Sequence, residues 1–341
     1  MEAVNPIQRA RSVQEVSSTV RRLCAHSADQ QQQSDLFLSL ALQLRTLTLQ
    51  QLNDVWQEVS FKCLDDWQPL LEALPACGSE ECIQFTTNLI LNKEIGQDHI
   101  ISFLSTVTFA SHPTPSLISH ISSLLTFPPI RPKTILAISS LVHRLCRKER
   151  TPCSQIPEVQ QLLRVLKEDL GQSCGWQEPL PITELLHVLK AVENIGLPEF
   201  IPQLKICIHN HSAPVQLRLA AVQAFRHIPC HRKKGVLAWA YQQPQEDVEI
   251  RIAAYQQLMY CPDQEVFRIV KDTLRNETST QVGSFVWSHL FNIQKTEDPL
   301  KRDLMESLPH DIISKDFEAE PWKYSSHMDF TMDTGILWSS L

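Results

Sequence analysis

Glycine is scarce in this chain, at 8 of 341 residues. That shortage excludes the glycine-rich phosphate cradle, the dinucleotide-binding fingerprint and the strained nucleophile elbow, and none of these motifs occurs. Long apolar runs are missing too: a stretch such as Leu36 to Leu44 is far too short to cross a bilayer. Positive charge is not in excess. Lys and Arg number 31 against 38 Asp and Glu, a net charge of −7, so nothing general points to nucleic acid. Met1 to Val20 mixes arginines with polar residues and has no apolar segment of the kind a secretory leader carries. Taken as complete, the chain would be cytoplasmic.

What is present is helical punctuation. The 21 prolines fall largely between apolar-periodic runs, and glycines sit where helices should stop. This punctuation argues for an all-α protein, and 43% hydrophobic with 20% charged residues is the composition of an ordinary soluble domain rather than a disordered one. A repeat runs through it. Val215 to Gln223 aligns with Val248 to Gln256 at an offset of 33, matching the valine, the arginine, the alanine pair and the glutamine. A further step of 32 brings Ile250, Ala254 and Leu258 onto Val282, Val286 and Leu290. A helix pair of this period cannot bury its apolar faces alone and must stack on its neighbours, which predicts a two-layer α-α superhelix. The expected boundaries are an irregular leader over 1–12, helical hairpins over 13–318, and a divergent tail over 319–341. Within that tail Trp322 to Phe330 is aromatic and loosely alternating, which reads as the start of a β-sheet. The run from Asp29 to Ser34 reads as a solvated loop.

No catalytic constellation stands out, so an enzyme is not expected. Asp65-Asp66 and Glu80-Glu81 sit at turns or helix starts, where capping accounts for them. Cys207, His209, His211, His227, Cys230 and His231 suggest a zinc cluster by residue type, but none of their spacings fits a structural zinc pattern, and neither metal nor cofactor is expected. The basic groups Arg144, Arg147, Lys148, Arg150 and Arg226, Arg232, Lys233, Lys234 read as charges at helix ends on a solvated face. Cys77-Gly78-Ser79-Glu80-Glu81-Cys82 is compatible with a small disulfide around a glycine turn, with free thiols, or with half a metal site. Asn210-His211-Ser212 and Asn276-Glu277-Thr278 make Asn210 and Asn276 candidate N-glycosylation sites.

Asp247 to Asn292 carries the arginine-alanine-alanine core, Tyr260-Cys261-Pro262, and Gly283-Ser284-Phe285-Val286-Trp287-Ser288-His289-Leu290. These residues resemble the large lipid transfer proteins: vitellogenins, apolipoprotein B, apolipophorins and the microsomal triglyceride transfer protein. The resemblance spans about residues 10–330 and is strongest to the helical domain of apolipoprotein B and apolipophorin, which has a cysteine-glycine turn like that at Cys77 to Cys82. It implies a horseshoe of helix pairs that braces a cavity for neutral lipid and phospholipid, in a secreted lipoprotein. It also implies disulfides Cys77–Cys82 and Cys174–Cys207, leaving Cys24, Cys63, Cys146, Cys153, Cys230 and Cys261 unassigned. Implied partners are a β-barrel domain, lipid-binding sheet domains and a lipid-loading chaperone of the same family. No residue can be named as lipid-binding. A free-standing helical scaffold for protein partners is the alternative.

Overall fold

The computed structural model describes residues 6–24, 30–60, 68–110, 112–148, 152–172, 174, 180–318, 320 and 323–327. Its contacts divide into two compact units, Met1–Asp169 with Lys190–Ile195, and Leu170–Leu189 with Gly196–Leu341.

The first unit holds α1 (Pro6–Cys24), α2 (Gln30–Leu44), α3 (Leu49–Ser60), α4 (Gln68–Cys77), α5 (Glu80–Leu91), α6 (Gln97–Val107), α7 (Pro115–Ser122), α8 (Arg131–Lys148) and most of α9 (Pro157–Leu170). From α1 to α8 each helix packs on the next but one. One row is α1, α3, α5, α7 and the other is α2, α4, α6, α8, with α1 on α2, α4 on α5 and α7 on α8 joining the rows. Between them Leu40, Leu44, Leu52, Val55, Leu74 and Phe85 form one buried cluster. Each such side chain contributes roughly 1.5–3 kcal/mol when removed from water.

Two expectations are corrected here. Helix α1 begins at Pro6, inside the stretch expected to be irregular through residue 12. Proline suits a first turn, where its missing N–H has no partner to lose. Helix α2 begins at Gln30, so Gln30 to Ser34 are helical rather than loop. Glutamine is a good helix former, and Gln31 Nε2 reaches Asp35 Oδ1 one turn on, at 3.4 Å.

Helix α10 (Ile182–Ile195) is divided between the units. The second unit continues with α11 (Ile201–His209), α12 (Val215–Gln223), α13 (Cys230–Gln242), α14 (Val248–Met259), α15 (Gln264–Asn276), α16 (Thr280–Gln294) and α17 (Arg302–Ser307). The same ladder recurs: α12, α14 and α16 stack in one row, and α11, α13 and α15 in the other. The sequence follows this placement. Helix α14 lies between α12 and α16 against α13, and buries Ile250, Ala253, Ala254, Tyr255 and Leu258 among others. Helix α15 is amphipathic and buries Val266, Phe267, Ile269, Val270 and Leu274. Its start is fixed by Asp263, whose Oδ1 accepts from Val266 N at 2.9 Å and satisfies an otherwise orphaned donor.

After α17 the chain runs in turns and irregular backbone as far as it is described. The strand expected over 322–330 is therefore corrected where it can be seen: residues 323–327 form no strand, while Trp322 and residues 328–341 lie outside the described residues. A strand offers its N–H and C=O groups to a neighbour. At His327 both are already bonded to side chains of α16, Ser288 and Asn292.

Candidate functional site

The repeated arginine acquires a role in the second unit. Arg218 on α12 donates from Nε and Nη2 to the carbonyl of Ile208, in the last turn of α11, at 2.9 and 2.7 Å. Its Nη2 also meets Glu246 Oε2 at 2.5 Å. Glu246 Oε1 in turn accepts from the N–H of Asp247, just ahead of α14, at 2.8 Å. One repeat later Arg251 does the same. Its Nε donates to the Tyr241 carbonyl near the end of α13 at 3.0 Å, and its two Nη groups pair with Glu277 at 3.1 and 2.5 Å. Glu277 Oε1 accepts from Thr278 N and Ser279 N, ahead of α16. Each arginine thus reaches the carbonyl ten residues before it, and each glutamate holds the entry to the next helix of the arginine's own row.

All four side chains are buried, which makes these pairs costly to separate. Burial pushes the Glu246 carboxyl up, but the hydrogen bond from Arg218 and the Asp247 N–H outweigh it and hold the group below its usual value. Tyr241, fully buried beside the Arg251 clamp, is held above the usual tyrosine range by burial and by the Glu277 charge. Periodicity revealed the matched arginines but not their partners, because Glu246 and Glu277 stand outside the aligned segment.

Disulfides fasten the loops. Cys77 joins Cys82 around Gly78, whose φ of +67° is the left-handed conformation glycine tolerates, and Ser79 Oγ caps Cys82 N at 3.2 Å. Cys174 joins Cys207 across a separation of 33 residues. The cysteines left open by the sequence include two further pairs, Cys146–Cys153 and Cys230–Cys261, and Cys24 is also disulfide-bonded. Cys63 lies outside the described residues. Cys207 and Cys230 therefore have no thiolate to offer a metal. Among the described residues no group of three or more His, Cys, Asp or Glu could hold an ion.

The basic clusters are mixed: Arg147, Arg226 and Arg232 are exposed, as expected of a solvated face, while others are engaged by the protein; of the first, Arg150 lies outside the described residues. Arg144 donates to the Ala110 carbonyl at 3.1 Å and lies over the Phe109 ring. Lys233 is buried and donates to the Phe225 and Arg226 carbonyls at 3.1 and 3.2 Å, while Lys234 binds Asp263. Arg226 lies over Tyr260. Of the two sequon asparagines, Asn276 is exposed at the end of α15, whereas half-buried Asn210 accepts from Ser212 N at 3.2 Å. Among the described residues no helix is long and apolar enough to span a membrane. The apolar side chains left in water include Leu38 and Leu42, one turn apart on α2. What these groups make is a braced array of helices, with its polar side chains turned on one another.

Comparison with known proteins agrees with this architecture. The family model of the Vitellogenin TPR domain matches residues 11–291. Apolipophorins of Locusta migratoria are 29% identical over 267 residues, covering 77% of this chain and 8% of theirs. Apolipoprotein B-100 of Homo sapiens is 23% identical over 325 residues, covering 89% of this chain and 6% of its own. The chain thus spans less than a tenth of the length of these relatives. A solved structure described under lipid–protein interactions in lipovitellin superposes with a TM-score of 0.78 at 20% identity, over 96% of this chain and 34% of that one, and shares its fold.

Proposed function

The chain belongs to the Vitellogenin TPR domain family, and we propose that it forms the helical scaffold of a lipid carrier. The family match over residues 11–291, on a chain whose two units are each built of two rows of stacked helices, carries this reading. In it the helices do no chemistry. They brace apolar sheets elsewhere in the carrier that keep neutral lipid and phospholipid from water, a favourable arrangement because apolar area leaves solvent. The buried Arg–Glu clamps suit that task, since they fix the spacing of successive hairpins against the pull of an attached sheet. A β-barrel, lipid-binding sheets and a lipid-loading chaperone of the same family are the partners such a scaffold would serve.

Secretion belongs to the same proposal. The disulfides suit an oxidising compartment, and the relatives are apolipoproteins and apolipophorins. Within the secretory pathway, exposed Asn276 is the better placed of the two sequons to carry a glycan.

The test is lipid extraction from the native protein that contains this chain, purified without detergent. Phospholipid and triacylglycerol recovered in a constant ratio to protein is the expected result. A folded, lipid-free preparation would overturn the carrier and leave a scaffold for protein partners.

A further inference from the structure

The string Gly283-Ser284-Phe285-Val286-Trp287-Ser288 is not explained by the helix it belongs to. By the step of 32 that aligns Ile250 with Val282, Gly283 stands where the clamp arginine Arg251 stands in the preceding repeat. A glycine inside a helix costs about 1 kcal/mol relative to alanine, and this one forgoes the clamp as well. The space is filled from outside. A Cβ on Gly283 would collide with the Phe317 ring.

Phe317 belongs to a non-helical stretch that follows the face of α16. Ser314 Oγ donates to the Lys271 carbonyl at 2.7 Å, and Lys315 Nζ to the Glu277 carbonyl at 2.5 Å. Ser284 Oγ donates to the Glu318 carbonyl at 2.5 Å, and Trp287 Nε1 to Asp316 Oδ1 at 3.3 Å. Further along, Ser288 Oγ accepts from His327 N at 2.9 Å, and Asn292 Nδ2 donates to the His327 carbonyl at 2.5 Å. The His327 ring rests edge-on against His289 and Phe285. Ser284 and Ser288 are both buried; Ser288 Oγ also donates to the Phe285 carbonyl at 2.9 Å, so it is Ser284 whose buried hydroxyl relies on the segment, through the Glu318 carbonyl.

We propose that the described residues 312–318 and 323–327 act as a capping strap that takes the place of the next helix in the row α12, α14, α16 and so ends the array, and that the glycine-serine string of α16 is its seat. Terminal repeats of stacked arrays need a cap because their outer face has no neighbour to bury it. Here the cap is a non-helical chain that turns at Glu320, whose carbonyl accepts from Lys323 N and Tyr324 N. This segment brings its own backbone onto the serines of α16, the Glu318 carbonyl onto Ser284 and the His327 N–H onto Ser288. Glycine at 283 makes room for the one aromatic ring that fills the gap.

The experiment uses the full chain with Phe317→Ser and, separately, Gly283→Leu, which puts a side chain where the ring lies and suits a helix better than glycine. Hydrogen exchange is followed by mass spectrometry, with tryptic cleavage after Lys315 as a second reporter. Exchange over 312–318 and along α16 should rise about tenfold or more in both variants, with α11 to α14 unchanged. A synthetic peptide of residues 312–327, in excess over the Phe317→Ser variant, should restore protection of α16, and the same peptide carrying Phe317→Ser should not. Unaltered exchange over 312–318 in both variants would overturn the proposal, as would release of the strap with α16 still protected. None of these readouts involves lipid, so the result stands apart from the fate of the carrier reading.

Discussion

Arg251 and Glu277 face each other as a two-bonded pair, Nη1 to Oε1 at 3.1 Å and Nη2 to Oε2 at 2.5 Å, with both side chains out of water. Removing one member leaves the other charge buried and unpaired, which costs about 3–5 kcal/mol. Arg251→Met should therefore destabilise the chain by that order in urea unfolding. Arg251→Met with Glu277→Met should recover most of the loss. If the double variant is no more stable than either single one, the pair is not an isolated electrostatic unit.

Lys233 gives a prediction in pH. Its ammonium is buried with only carbonyl partners, and burial lowers its pKa from 10.5 to about 8. Between those two values the unfolded chain binds more protons than the folded one, so this group makes stability rise as pH climbs from about 8 towards 10.5. Below pH 8 the contribution is level, because the lysine is protonated in both states. Urea unfolding at about pH 7.5 and about pH 10 should show a steeper rise for the parent than for Lys233→Met. Equal slopes would mean the amine is hydrated in the folded chain.

The disulfides differ in the length of chain they close. Cys174 and Cys207 are 33 residues apart, Cys77 and Cys82 only 5. By loop-closure entropy, replacing the first pair with alanine should cost about 1–2 kcal/mol more than replacing the second. Thermal unfolding of the two double-alanine variants measures the difference.

If the chain is secreted, Asn276 should be glycosylated in preference to Asn210. Asn276 is exposed, whereas Asn210 is half-buried and closes a turn onto Ser212 N. Enzymatic deglycosylation should shift the parent and Asn210→Gln by the same step, with no shift for Asn276→Gln. A shift that survives Asn276→Gln contradicts this order.

Much of the molecule was legible in its residues, for a reason that can be given element by element. The runs that became α10, α14 and α15 carry apolar side chains at helical spacing, and Asp247 and Asp263 stand where caps are needed. The match between Arg218 and Arg251 is visible as identity at a fixed offset, yet residue type gives no sign of their burial, since an arginine in a helix is ordinarily solvated. Only Glu246 and Glu277, brought in from the loops, make those positions interior. Cys230 and Cys261 likewise sit in neighbouring hairpins of the repeat, but nothing local distinguishes their partnership from any other pairing of the cysteines.

The sequence by itself determined that this protein is helical, repetitive and stacked, because periodicity and the helix period are local properties that each segment expresses alone. Tertiary structure decided where the repetition stops. Gly283 in place of a clamp arginine and Phe317 in an irregular segment are unremarkable in isolation, and the texture of Trp322 to Phe330 argues for a strand. Only when α16 presents its glycine and buried serines does the segment to His327 find partners for its backbone there, and a bond already made to a side chain cannot also be made to a sheet.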